Sequence, residues 1–546
     1  MKILLYIKII VAMITFSSCK QKPMVDLLIH NATIYTVDQD FSIVSAMAIN
    51  DGKIVEVGKS NILLNKYQAQ EVIDLKGKFV YPGFIDPHSH FIGYGRELTN
   101  ANLVGCTSVE DMLKRVTVHH SKYERNWVLG RGWDQNLWPI KEFPNKHLLD
   151  KAFPANPVLL IRVDGHAAVA NSVALKMANI TAKTKVFGGS VEVKNGQPTG
   201  IIIDNAIDLV RRIIPPLTTQ DNIDALLNAQ EKVFEVGLTS VSEAGLDAST
   251  IYLMDSMQGS GKLNVRIYAM LNPTEANFEA FMYSRKLKTD YLNVRSVKLF
   301  ADGALGSRGA KLLKPYSDNT TNYGILLETP EFLEKVSRKA HKFGYQVNVH
   351  CIGDSANRLI LNIFGNILKE PNDLRWRIEH AQVVHPDDFD LFGKYGIIPS
   401  IQAIHATSDM EWAPLRLGAE RMKSSYAYQQ LLAQNGWLPN GSDFPVESIN
   451  PLLGFHAAVA RQDANGNPPG GFQMENALTR KQALLAMTIW AAKAQFEENE
   501  KGSLETGKFA DFVVLEKDIM AIPLPEIPSL KVKYTFLGGE KVFGRE

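Results

Sequence analysis

Cysteine is close to absent: Cys19, Cys106 and Cys351 are the only three in 546 residues. Three thiols exclude a disulfide framework and a zinc site built from four cysteines. An excess of charge of one sign is also missing. Lys+Arg is 59 and Asp+Glu is 58, giving a net charge of +1. No polyanion-binding surface is expected from that balance, so nucleic acid is not an expected partner. Internal repeats and low-complexity segments are lacking, and no run beyond the first residues is long and apolar enough to span a bilayer. What is present is 45% hydrophobic and 21% charged residues, the mixture of a folded chain with a large core. At about 150 residues per domain, the length implies two to four domains or one large barrel with additions.

The chain opens with Lys2 and Lys8 around apolar residues, then runs Ile9 to Phe16 and ends in Ser17-Ser18-Cys19. A run this short fits a secretory h-region better than a span, which needs about 20 residues. Small residues before a cysteine resemble a lipoprotein processing site. Residues 1–18 are therefore expected to be a signal peptide and Cys19 the lipidated residue. The expected location is the bacterial cell envelope, anchored to a membrane and not embedded in it.

Residues 23–80 and 497–546 read as short strands with turns. Asn50-Asp51-Gly52-Lys53 and Leu537-Gly538-Gly539-Glu540 are hairpin signals, because Asp-Gly and Gly-Gly accept positive φ at little cost. These two ends are expected to form one β-sandwich side domain. Residues 81–496 alternate strands and helices. Thr329-Pro330-Glu331 starts a helix that Gly344 ends, and Thr479-Arg480-Lys481-Gln482 is a capping-box pattern. Eight candidate strands end near Asp86, Glu243, Leu271, Phe300, His350, His380, Gln402 and Asp443. That predicts an α/β fold, a (β/α)8 TIM-like barrel with its chemistry at the C-terminal ends of the strands. Residues 101–222, after the first strand, are too many for one helix and are read as an inserted subdomain shaping the pocket.

The strongest chemical signal is Phe84-Ile85-Asp86-Pro87-His88-Ser89-His90. Residues i and i+2 of an extended segment point the same way, so two imidazoles can converge on one ion, with Zn–N distances of about 2.0–2.1 Å. His350, His380 and Asp443 end three further strands. Each alone is unremarkable, but four strands offering ligands at one end is a pattern. Lys298 ends another strand and points inward if Val297 and Leu299 face the helices. A buried, unpaired lysine tends to lose its proton. A neutral amine can add carbon dioxide to give a carbamate, an anionic bridge between two cations. Pairing of Lys298 to Asp302 or Asp443 is the competing reading.

The segments Lys298-Leu299-Phe300-Ala301-Asp302-Gly303, Val349-His350-Cys351-Ile352-Gly353-Asp354, Arg377-Ile378-Glu379-His380-Ala381-Gln382 and Gly441-Ser442-Asp443-Phe444-Pro445 resemble the amidohydrolase superfamily. Their finer wording resembles its family 3, in the branch that includes N-substituted formamide deformylase. The likeness covers about residues 25–520. It implies zinc held by His88, His90 and Asp443, a second zinc held by His350 and His380, and a carbamylated Lys298 between them. Some relatives use one metal. It also implies hydrolysis of a non-peptide C–N bond in a small amide-like molecule, with Asp443 as proton shuttle. His166, Trp133 and Arg308 are the expected substrate contacts. Deamination, or hydrolysis of an ester or cyclic imide, on the same site remains an alternative, as does an inactive small-molecule-binding lipoprotein. A homodimer is compatible with the sequence.

Overall fold

The computed structural model describes residues 22–123, 125–284 and 286–545. The segment 1–18 and Cys19 lie outside them. Among the described residues no helix is long and apolar enough to cross a membrane.

The central sheet has seven parallel strands: β1 (Phe84–Ser89), β2 (Leu238–Leu246), β3 (Arg266–Leu271), β4 (Leu292–Phe300), β5 (Gln346–Cys351), β6 (Arg377–His380) and β7 (Ile398–Ser400). They pair in chain order, from β1 beside β2 to β6 beside β7. Helices pack on the outside, and Val294, Val297 and Leu299 of β4 join the core that these helices bury. The opposite face of β4 carries Ser296 and Lys298 into the barrel, both buried. Strands covered on both faces need not alternate in hydrophobicity, so inward polar groups here are a choice of the site and not of the fold.

An eighth strand ending at Asp443 is expected from the sequence. The structure has an irregular segment there instead, making one parallel bridge, Asn440 to Ile401. It still closes the cylinder. Gly441 N–H donates to Ile401 O at 2.9 Å, and Asp443 N–H donates to His88 O at 2.9 Å. Pro439 has no N–H to give a ladder, and Asp443 adopts φ +61°, far from the φ of regular extended backbone.

Six strands lie between β1 and β2 and form a separate sheet, from Ala101–Asn102 to Gln197–Asp204, with Gly189–Lys194 at its edge. Helix Thr219–Glu235 then returns the chain to the barrel, started by a capping box between Thr218 and Asp221. Two further sheets lie outside the barrel. One is made of Met24–His30, Ala46–Asn50, Lys53–Gly58 and Gln68–Asp74. In the other, Phe512–Leu515 from the end of the chain pairs with Phe79–Pro82 from its beginning. A shared core containing Ile29, Ile34, Val80, Phe512 and Val514 lies against both.

Candidate metal centre

Asp86 sets the spacing of the site. Its Oδ1 accepts the His88 N–H at 3.0 Å, and its Oδ2 accepts the Ser442 hydroxyl at 2.6 Å. The carboxylate thus ties β1 to the irregular segment and brings Asp443 beside His88. Gly441 is required at this crossing, because a Cβ there would lie 2.6 Å from Asp86 Oδ1. Asp443 at φ +61° and His380 at φ +72° both occupy the left-handed region. Such strain persists where the surroundings over-determine it, commonly at functional sites.

Two histidines have their tautomers fixed from behind. His88 Nδ1–H donates to Glu379 Oε2 at 2.5 Å, and Arg377 Nε–H donates to Glu379 Oε1 at 2.6 Å, all without solvent exposure. Arg377 is itself held by Pro87 O at 2.9 Å. Burial opposes ionisation of Glu379, but Arg377 and His88 outweigh it, and the carboxyl stays well below its usual range. His380 Nδ1–H donates to Gln402 Oε1 at 2.6 Å. Each ring therefore presents Nε2 with its lone pair to the barrel mouth, the arrangement that orients metal-binding imidazoles. Burial and the Lys298 charge push His88 down to about 4, so the ring is neutral near pH 7.

Ligand atoms of His88, His380 and Asp443 all lie within 4.8 Å of one another. Asp443 Oδ1 is 3.4 Å from His88 Nε2 and 3.3 Å from His90 Nε2. His90 is the most open of these rings, 31% exposed, and immediately precedes the helix Phe91–Glu97. Ile92 N–H of that helix donates to Glu243 Oε2 at 2.9 Å, so the end of β2 holds the backbone next to His90. The His350 ring is 4.6 Å from the His380 ring, centre to centre. Lys298 Nζ lies 3.2 Å from His88 Nε2, and no carboxylate within 4.0 Å pairs with it among the described residues. Burial pushes this amine down to about 8. All six expected ligands thus converge on one mouth of the barrel. They suit a divalent cation on an independent count: Asp443 Oδ1 and His350 Nε2 are buried with no hydrogen-bond partner, and the donors are imidazole nitrogen and carboxylate oxygen.

The expected substrate contacts fare differently. His166 lies beside the centre, its ring 5.1 Å from that of His350. Trp133 does not line a pocket. It is wholly buried in the core of the inserted domain, with Nε1–H donating to Leu160 O at 2.9 Å. Arg308 is already engaged by a carboxylate. Its guanidinium forks onto Asp318 at 2.8 and 3.2 Å, a carboxylate that Arg416 shares.

Several site residues carry no signal in the sequence. Glu379 and Gln402 are strand-end neighbours of the histidines, but only barrel closure shows what they touch. His405 stands three residues beyond Gln402, and its ring stacks 5.7 Å from that of His380. Nothing in its spacing marks it. Asp302, a possible partner of Lys298 by sequence, accepts the Ile352, Gly353 and Lys311 N–H groups instead, fixing the loop after β5.

With this geometry in hand, the chain can be set beside known proteins. A sequence model described as the amidohydrolase family matches residues 71–543. The chain is 32% identical over 526 residues to the putative amidohydrolase YtcJ of Bacillus subtilis (strain 168), covering 94% of this chain and 98% of that protein. It is 26% identical over 537 residues to the N-substituted formamide deformylase of Arthrobacter pascens, covering 94% and 98%. The crystal structure of an uncharacterized metal-dependent hydrolase from Pyrococcus horikoshii OT3 superposes with a TM-score of 0.74 at 29% identity, covering 91% of this chain and 99% of that one. The chain belongs to the amidohydrolase family.

Proposed function

We propose that the protein is a metal-dependent hydrolase that cleaves a non-peptide C–N bond in a small amide-like molecule. The observation that carries this reading is the convergence of His88, His380 and Asp443 ligand atoms within 4.8 Å at the barrel mouth. The deformylase among its relatives supports an amide over an ester or a heterocyclic amine. The nitrogen and oxygen donors suit zinc. His88, His90, His380 and Asp443 would hold a divalent ion, and His350 and Lys298, which lie beside them, would serve a second one. A bound divalent cation supplies Lewis acidity, which polarises a carbonyl and acidifies water.

The protein's own residues do the rest. Asp443 takes the proton of the attacking water and gives it to the leaving nitrogen, as general base and then general acid. Glu379 and Gln402 keep His88 and His380 aimed during turnover. Lys298, with its amine pushed down to about 8, exists partly as the free base near neutral pH. Its nitrogen can then bond to the carbon of carbon dioxide and release one proton, which would give an anionic carbamate able to bind a cation.

The test is a screen of the zinc-loaded protein against N-formyl and N-acyl amines. Turnover of at least one is expected. Asp443→Asn should remove nearly all of it, at least 10³-fold on the scale of lost acid–base catalysis and a lost ligand together, with the fold intact by circular dichroism. No turnover of any amide by a zinc-bound wild type, or an active Asn variant, contradicts the reading.

A further inference from the structure

The ligands described above leave one inward group of the barrel mouth without a task. β4 turns Val297 and Leu299 outward into the core and Lys298 inward. Phe300, two residues beyond Lys298, points to the same side as it and stands opposite His350 in the ladder between β4 and β5. Its ring lies 5.6 Å from the His350 ring, centre to centre, and Lys298 Nζ lies 4.7 Å from its centroid. Lys298 Nζ is in turn 3.2 Å from His88 Nε2, so the ring borders the centre itself.

Three features mark the ring as a surface kept for a ligand. Phe300 is partly exposed, whereas the four residues before it on β4 are buried. It belongs to none of the apolar cores of the described residues, neither among their buried side chains nor among those packed against them, so core packing does not account for it. The inserted domain's ring beside His350 is engaged elsewhere, since His166 Nδ1 and Asp204 Oδ1 are 2.6 Å apart. Phe300 thus offers hydrocarbon to a mouth that is otherwise imidazole, amine and carboxylate. Small-molecule sites combine such an apolar wall with a few polar groups that fix orientation.

We propose that Phe300 is the apolar subsite of this centre and selects amides carrying an apolar group, on the acyl carbon or on the nitrogen, that packs against the ring. An amide whose carbonyl sits among the ligands brings a group attached to either of its ends within reach of a ring that borders Lys298. Covering the ring takes apolar surface of both partners out of water, and each methylene fully buried this way contributes about fourfold in affinity. The inference rests on the hydrolase reading and adds to it the chemistry of the substrate's substituent.

The test uses the zinc-loaded wild type, Phe300→Ala, Phe300→Gln and Phe300→Leu with two substrate ladders. One is N-methyl-, N-propyl- and N-pentylformamide; the other is N-methylacetamide, N-methylbutanamide and N-methylhexanamide. In the wild type kcat/KM should rise about two- to fourfold per methylene along one ladder, and the ladder that rises names the end of the amide that meets the ring. Phe300→Ala, and Phe300→Gln, which fills more of the space with a polar group, should each flatten that rise to under about 1.5-fold per methylene. Phe300→Leu, which keeps hydrocarbon and loses the π face that Lys298 meets, should keep most of the rise. Calorimetry with the matching products gives a readout besides activity. The wild type should bind pentylamine over methylamine, or hexanoate over acetate, by about 10-fold or more, and Phe300→Ala should lose most of that preference. No rise along either ladder in the wild type, an equal loss at every length in Phe300→Ala and Phe300→Gln, or a Leu variant as flat as these two would each overturn the subsite. A wild type inert on every amide sinks the hydrolase reading instead, and product binding alone then decides the subsite.

Discussion

Replacing Glu379 with Gln isolates what aims the first histidine. The carboxylate is fully buried and takes two charge-assisted hydrogen bonds, from His88 at 2.5 Å and from Arg377 at 2.6 Å. Gln has the same shape and can still accept one of them, but it leaves the Arg377 charge unpaired. Breaking a buried ion pair by neutralising one member costs about 3–5 kcal/mol. The His88 half of the loss is separate. Removing the partner of a metal-binding imidazole lowers metal affinity about 10–100-fold, which is about 1.4–2.8 kcal/mol. Competition with a chromophoric chelator measures the second effect, and the denaturation midpoint reports the first. The double variant Arg377→Met/Glu379→Gln should regain part of the lost stability, because no charge is left buried alone, while zinc affinity stays low. A Glu379→Gln protein that binds zinc as tightly as the wild type would refute the orienting role.

Other consequences follow from the same contacts. Trp133→Phe should leave KM unchanged and destabilise the inserted domain, because the Leu160 carbonyl loses its donor in a buried place, a cost of about 1–3 kcal/mol by thermal melting. Arg308→Ala should shift KM by less than about twofold in steady-state kinetics, since Asp318 keeps Arg416 and a partly exposed pair contributes at most about 1 kcal/mol. Burial pushes Glu243 up to about 8 from an ordinary 4.5, despite the Ile92 N–H it accepts. Between those two values the folded protein holds a proton that the unfolded chain has released, so stability falls as pH rises across that window. Glu243→Gln, which carries no charge at any pH, should flatten this slope in denaturant titrations; an unaltered slope would show that Glu243 is not its source.

The sequence made the barrel legible through local signals. Thr329 and Thr479 accept the N–H groups of Phe332 and Gln482 as N-caps, and Gly344 ends its helix at φ +66°. Side-chain alternation placed Lys298 inside, and the i, i+2 spacing placed His88 and His90 together. What stayed hidden is what closure creates. His88 and Glu379 are 291 residues apart, and no spacing rule joins them. The pairing of His166 with Asp204 likewise depends on the antiparallel register of Ala167 with Ile203 in the inserted sheet. An aromatic beside Gly132 and Asp134 reads equally well as pocket wall or core, and only the neighbouring strand, through Leu160, places Trp133 in the core. The eighth strand stops at one bridge because the Asp86 carboxylate takes the Ser442 N–H and Asp443 turns to φ +61°.

The central claim is that six side chains between positions 88 and 443 surround an inorganic centre. Anomalous diffraction at the zinc absorption edge, on crystals of the protein purified with zinc, tests it most directly. A peak about 2.0–2.1 Å from Nε2 of His88 and His380, and bonded to Asp443, is the expected result. The account is contradicted if the barrel mouth shows no peak, or if zinc binds only elsewhere on the molecule.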